Sequence, residues 1–140
     1  MISYILDTDH LTLLKRNHPI VRAKIGSIPP ADIFVTIVTI EEQLRGRLAV
    51  VSKVSNQPER FSIAYDYLFD SFQDFYKLNL LRLDPVAADY FQQFRRQKIR
   101  IGSQYLKIAS IALSQKATLL TRNHKDFIQV PGLSIEDWSV

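Results

Sequence analysis

Acidic and polar side chains follow each of the short apolar runs that are typical of β-strands. In a parallel sheet the carboxyl ends of the strands share one edge, and ligands bind in the crevice outside it. Carboxylates at that edge are candidates for binding and for acid–base chemistry. The residues in question are Asp7 and Asp9, Thr39 to Glu42, Asp84, and Thr121 to Asp126.

Each of these acids also has a structural interpretation as a helix cap. Asp7 is a suitable N-cap, but Thr8 and Asp9 are available too, so at least one of the three is free for other work. Both interpretations of Asp7 therefore stay open. Residues 39–42 fit the capping box, in which a Thr is followed three residues later by Glu, and this pattern favours capping for Glu42.

The remaining acids and the histidines also have structural interpretations. Asp84 precedes Pro85, a combination typical of a helix start, and no chemistry is assigned to it. Asp126 is a candidate cap for a short helix near residues 127–128, and Asn123 is a candidate turn residue. The three histidines share no metal-ligand spacing and are expected to be surface or capping residues: His10, His18 and His124.

The elements that would position these side chains alternate along the chain. Strands are predicted over residues 2–6, 33–38, 79–83 and 117–121, with an edge strand near 133–135. Helices are predicted over residues 8–15 and on toward 21, and over 39–54, 59–78, 85–97 and 102–113. This alternation predicts an α/β fold, an α/β/α sandwich around a mainly parallel sheet, formed as a single domain over residues 1–140.

Composition excludes several classes of protein. The 140 residues contain no cysteine, which excludes disulfide scaffolds, thiol nucleophiles and thiolate metal sites. Lys and Arg outnumber Asp and Glu by 18 to 14, and the net charge of +4 favours a polyanionic partner. No run is long enough to span a membrane and no secretory leader is recognisable, so a cytoplasmic protein is expected. Phosphate-loop, dinucleotide and serine-hydrolase motifs are absent from the sequence.

Four segments together resemble a known family. They are Tyr4 to Asp9, Ile37 to Gly46, Ile101 to Ser110, and Ala117 to Phe127 with the following Val130 to Leu133. In order, spacing and full-length coverage they resemble the PIN domains, and specifically the VapC toxins of toxin–antitoxin pairs.

The resemblance implies an endoribonuclease toxin that uses Mg²⁺ or Mn²⁺. By position, Asp7, Glu42 and Asp126 inherit metal-ligand or water-orienting roles, while Asn123 and Thr121 inherit supporting polar roles. The implied partners are an RNA substrate, a cognate VapB-like antitoxin and a second copy of the chain, without a membrane.

One residue departs from the pattern, because Tyr105 stands where the family carries its third acid. A phenol is neutral at pH 7, is a poor ligand for Mg²⁺ and is larger than a carboxylate. Tyr105 therefore predicts impaired metal binding and cleavage. Whether it is natural or a change that detoxifies the protein stays open. The alternative is a catalytically silent PIN domain that binds antitoxin or RNA.

Two further interpretations come from other features. A phosphoacceptor receiver domain needs an acceptor Asp after a central strand, but residues 33–38 are followed by Thr39, which disfavours this class.

An aromatic stripe on the predicted 59–78 helix has the spacing of a helix-in-groove surface or of ordinary core packing. Its members are Phe61, Tyr65, Phe69, Phe72 and Phe75.

Overall fold

The centre of the protein is a five-stranded sheet in which every pairing is parallel. The computed structural model describes residues 2–140, so Met1 lies outside the described residues. The strands are β1 (Tyr4–Leu6), β2 (Ile33–Thr36), β3 (Leu80–Leu81), β4 (Thr118–Leu120) and β5 (Ile135–Glu136). Their order is β3-β2-β1-β4-β5, which puts β1 in the middle. The predicted parallel sheet is confirmed.

The helices are the crossovers that parallel strands require. They are α1 (Thr8–Lys15), α2 (Pro19–Gly26), α3 (Ile37–Lys53), α4 (Pro58–Tyr76), α5 (Pro85–Arg96), α6 (Ser103–Ser114) and α7 (His124–Phe127), with a 3₁₀ turn at Pro30–Asp32. Within residues 2–140, none of these helices combines the length and the apolar character that a membrane span needs.

Alternate residues of the strands point to opposite faces of the sheet, and each face has its own core. Ile5 and Leu119 pack on one side against apolar residues of α5 and α6, such as Ile108. Leu6 and Leu120 pack on the other side with residues of α1 and α4. Helices therefore cover both faces, and the predicted α/β/α architecture is confirmed.

The first predicted helix is divided in two. At Asn17 the backbone adopts a left-handed conformation with φ of 59°, which ends α1, and Pro19 then begins α2. His18 caps α2, since its Nδ1 accepts a hydrogen bond from the backbone N–H of Val21 at 3.3 Å. The capping role expected of His18 is confirmed.

The boundary between β2 and α3 lies earlier than the sequence predicts. The N-cap of α3 is Thr36, whose hydroxyl accepts a hydrogen bond from the N–H of Thr39 at 3.2 Å. Thr39 is thus the third residue of the helix, and Glu42 lies a full turn beyond the position that a capping box needs. The capping-box prediction for Thr39 and Glu42 is wrong, and the Glu42 carboxylate does not cap its own helix.

Thr36→Val is expected to lower the free energy of unfolding by about 1–2 kcal/mol. Valine keeps the shape of this buried side chain but leaves the N–H of Thr39 without its acceptor. Chemical denaturation of both proteins would measure the change. Thr36→Ser retains the hydroxyl and should recover most of the loss. Equal stability of the Val variant and the native chain would contradict Thr36 as the cap.

Candidate functional site

The site lies at the carboxyl ends of β1 and β4, where Asp7 and Thr121 leave the sheet. Its centre is a cavity of about 460 Å³. The cavity is lined by Asp7, Thr8, Asp9, Thr12, Glu42, Tyr105, Arg122 and Asn123. Three carboxylates, two from the start of α1 and one from α3, thus line the cavity together with a phenol, a guanidinium and an amide.

Asp7 is held rigidly by the backbone around it. Its N–H donates to the carbonyl of Leu120 on β4, and its Oδ1 accepts from the N–H of His10 at 2.7 Å, which caps α1. The side chain is buried apart from the part that reaches the cavity. The capping interpretation of Asp7 is confirmed, and because the residue also lines the cavity, capping does not exclude the functional interpretation.

Glu42 is positioned by a hydroxyl from the opposite helix. Its Oε1 accepts a hydrogen bond from Thr8 Oγ1 at 3.1 Å, and the same Thr8 hydroxyl lies 3.1 Å from that of Thr39. This contact joins α1 to α3 across the cavity. Because Glu42 does not cap its helix, its carboxylate is available to a ligand in the cavity.

Asp9 is paired with a cation from the far end of the chain. Arg122 donates two hydrogen bonds to Asp9, from Nε to Oδ2 and from Nη2 to Oδ1, both at 2.7 Å, which is a bidentate geometry. The hydrogen bond and charge of Asp9 raise the pKa of Arg122 above its ordinary value. Sequence reasoning gave no role to Arg122, and no local signal connects two residues 113 positions apart.

Tyr105 lies in the cavity with the acids, where the third acid was expected from the resemblance. Its side chain is 40% exposed, and its ring packs edge-on against Phe127 with the centroids 5.6 Å apart. No described hydrogen bond holds its hydroxyl. The ring therefore contributes bulk and a neutral hydroxyl to a wall whose other members are mostly charged.

Asn123, and not Asp126, caps the start of the short helix α7. Asn123 is the N-cap of α7, because its Oδ1 accepts from the N–H of Asp126 at 3.4 Å, so the prediction of Asp126 as the cap is wrong. Asn123 lines the cavity, whereas Asp126 is not one of its lining residues and accepts a hydrogen bond from Asn123 Nδ2 at 3.0 Å. The buried Thr121 hydroxyl accepts from the N–H of Asn123 at 2.9 Å. Thr121 and Asp126 thus fix the amide that faces the cavity.

His10 is fully buried behind Asp7, so the expectation of a surface or capping residue is wrong for it. Its Nε2 accepts a hydrogen bond from the N–H of Trp138 at 3.2 Å, which places the imidazole proton on Nδ1. Nδ1 has no hydrogen-bond partner and lies 3.4 Å from Asp7 Oδ1. A local sequence pattern cannot reveal this role, since the partner of His10 is 128 residues away.

One group in the described chain combines three potential metal ligands, namely Asp7, Asp9 and His10, with ligand atoms within 4.8 Å of one another. His10 is unsuited to ligation, because Nε2 is used by Trp138 and Nδ1 carries the proton. The remaining donors are carboxylate oxygens of Asp7 and Asp9, and Glu42 lines the same cavity. An all-oxygen set fits a hard divalent cation such as Mg²⁺ or Mn²⁺.

No family model matches the sequence. Curated relatives do match it over almost its whole length. It is 27% identical over 138 residues to ribonuclease VapC1 of Haemophilus influenzae strain R2866, covering 97% of this chain and 98% of the relative. It is also 27% identical over 143 residues to the tRNA(fMet)-specific endonuclease VapC of Shigella flexneri, covering 99% and 100%.

Solved structures with the same fold come from toxin–antitoxin complexes. A chain of VapBC-1 from nontypeable Haemophilus influenzae aligns with a TM-score of 0.73 at 23% identity and covers 100% of both chains. A chain of DNA-bound VapBC from Salmonella typhimurium aligns with a TM-score of 0.70 at 24% identity and covers 99% of both. The resemblance to VapC-type PIN domains and the PIN-like fold, both predicted from the sequence, are confirmed.

Proposed function

We propose that the chain is a cytoplasmic, VapC-like endoribonuclease toxin whose RNA cleavage depends on Mg²⁺ or Mn²⁺. The observation that carries the proposal is the convergence of Asp7, Asp9 and Glu42 on one cavity at the carboxyl edge of the sheet. Relatives that are named as ribonucleases and match along the whole length support the same reaction.

The residues that would hold the metal ion are Asp7 and Glu42, as the resemblance implies, joined by Asp9. Arg122 compensates Asp9, whereas neither Asp7 nor Glu42 is paired with an Arg or Lys among the described residues, so these two carboxylates favour a doubly charged ion. The chemistry that the ion supplies when bound is activation of water and compensation of charge on the phosphate. Asp126, the third ligand implied by the resemblance, acts in this proposal by holding Asn123 toward the cavity.

The other cavity residues prepare the site. The helix cap fixes Asp7, and the Thr8 hydroxyl orients Glu42 toward the same space. Fixed carboxylates have little conformational freedom to lose when a ligand arrives, which favours binding. Asn123 offers an amide for hydrogen bonding to RNA or to water.

The direct test is cleavage of RNA by the purified chain. We expect cleavage of total bacterial tRNA with Mn²⁺ or Mg²⁺ and none with EDTA. Fragments that persist in EDTA would contradict metal dependence. Calorimetry that detects no Mn²⁺ binding would contradict the metal site.

A catalytically silent PIN domain is the second candidate, and Tyr105 is the observation that favours it. The phenol occupies cavity space and contributes no charge to the acidic wall. RNA binding without any cleavage, in a preparation that binds Mn²⁺, would favour this candidate over the enzyme.

Arg122→Ala is expected to strengthen Mn²⁺ binding by about fivefold, because the guanidinium competes with the ion for both oxygens of Asp9. Titration calorimetry would measure the affinity without relying on activity. The matched control is Arg45→Ala, which removes an exposed cation that pairs with Glu41 at 2.7 Å. Unchanged Mn²⁺ affinity in the Arg122 variant, or an equal gain in the control, would contradict competition at Asp9.

An antitoxin partner is part of the same proposal, since the structural neighbours are chains of VapBC complexes. The aromatic stripe supplies a surface for it. Phe61, Tyr65, Phe69 and Phe72 are all exposed on α4, whereas Phe75 is buried in the core. The stripe therefore divides between the two predicted roles. We propose that the exposed part receives an apolar helix of the antitoxin, and that the chain also forms a homodimer.

A further inference from the structure

A second cavity adjoins the acidic one and has the opposite charge. We call it the basic groove and define it by Thr12, Lys15, Arg16, Gln43, Arg47 and Ser71. Its volume is about 370 Å³, and Thr12 lines both cavities. The groove therefore continues directly from the place where the carboxylates converge.

Its two best-fixed cations are held by neutral partners. Lys15 Nζ donates to Gln43 Oε1 at 3.0 Å and lies 5.7 Å from the centre of the Phe75 ring. Arg47 Nε donates to Ser71 Oγ at 3.0 Å, and its guanidinium lies 5.2 Å from the centre of the Tyr67 ring. These contacts fix the positions of the cations without neutralising their charge.

The two fixed cations of the groove are not neutralised by a contacting acid. Among the described residues, neither Lys15 nor Arg47 forms an ion pair with an acid, in contrast to Arg45 and Arg122. An ammonium has three N–H donors and a guanidinium has five, so each group keeps donors for an external acceptor. Burial lowers the pKa of Lys15 and nearby Arg47 lowers it further, while Asp74 raises it. An anion seated in the groove would relieve the repulsion between the two cations.

We propose that the basic groove binds successive phosphates of a single-stranded RNA next to the scissile phosphate in the acidic cavity. The inference rests on the proposed function for the choice of RNA. The acidic cavity itself repels a polyanion, and fixed cations beside it offset that repulsion where the strand must run. Contacts of this kind position the backbone and carry no sequence information, so any unstructured RNA serves as a probe.

The test is fluorescence anisotropy with a short labelled oligouridylate in EDTA, where cleavage is suppressed. The double variant Lys15→Gln with Arg47→Gln should bind about tenfold more weakly at low salt. Its slope of log affinity against log salt should fall by about 1.4, the value for two lost phosphate contacts on a single strand. Lys15→Arg with Arg47→Lys retains both charges and should bind like the native chain.

The matched control is Lys53→Gln with Arg60→Gln, which removes the same charge from exposed residues outside the groove. If this control lost as much affinity for the oligouridylate as the groove variant, net charge alone would explain the loss and the proposal would be overturned. Native affinity in the groove variant, or no binding by the native chain, would also overturn it. Inorganic phosphate at matched ionic strength should compete poorly, because full displacement by it would indicate a site for a single free anion.

Cleavage measured with Mn²⁺ on the same proteins separates this inference from the proposed function. If the native chain cuts RNA and the groove variant binds and cuts equally well, the groove proposal fails and the ribonuclease stands. If only the groove variant loses RNA binding and none of the proteins cuts RNA, the binding site is supported and the ribonuclease proposal is contradicted.

Discussion

Asp7→Asn is expected to reduce metal-dependent RNA cleavage by about a hundredfold or more while leaving the fold intact. Asparagine is as good an N-cap as aspartate, so the hydrogen bond from the N–H of His10 is retained. The variant loses only the negative charge at the centre of the acidic cavity. Cleavage rates with Mn²⁺ and thermal unfolding of the same samples would measure both parts of the expectation.

The matched control for Asp7→Asn is Asp84→Asn. Asp84 caps α5 by accepting from the N–H of Ala87 at 2.8 Å, so the two substitutions make the same chemical change at two helix starts. The control should keep its cleavage rate. If Asp7→Asn cleaved RNA at the native rate, a role for this carboxylate beyond capping would be contradicted. Because Tyr105 is expected to weaken the native activity, the pair should also be compared in a Tyr105→Asp background.

Tyr105→Asp is expected to raise the affinity for Mn²⁺ by about tenfold and to increase the rate of RNA cleavage. A further negative charge in the cavity attracts a divalent ion more strongly, and part of that gain is offset by desolvation. The smaller side chain also vacates part of the space beside Asp7 and Glu42. Calorimetry and the cleavage assay would measure the two effects.

Two other substitutions at the same position separate charge from bulk. Tyr105→Asn matches the size of aspartate without its charge, and Tyr105→Phe keeps the bulk of the ring. If charge is responsible, neither variant should bind Mn²⁺ appreciably better than the native chain. A gain with Asn equal to that with Asp would assign the defect to the volume of the phenol. Unchanged affinity and cleavage in all three variants would contradict any effect of Tyr105 on the site.

The sequence was most informative where the determinants are local. The Asp84–Pro85 helix start and the first residue of α1 were predicted correctly, because the cap and the first turn are set by adjacent residues. The end of β2 was misplaced because residues 33–38 are all β-branched apart from Phe34 and favour a strand throughout. The single hydroxyl in that run, Thr36, gives no sign that it is the cap.

The site was predictable only in outline. A parallel sheet brings its strand ends to one edge, so the proximity of Asp7 and Glu42 follows from the topology together with the resemblance. The pairing of Asp9 with Arg122 and the burial of His10 against Trp138 depend on contacts between distant segments. Nothing in the local pattern around either partner encodes such contacts.

The hydrogen bond between the Trp138 amide and His10 has a consequence for the order in which the protein is made. During translation, β1 and α1 leave the ribosome early, but the support behind Asp7 is incomplete until residues 135–138 have followed and β5 has joined the sheet. Contacts of such long sequence separation form late. In a growing polypeptide the centre around Asp7 is therefore loosely organised, and it gains its rigid backing only when the last strand has docked.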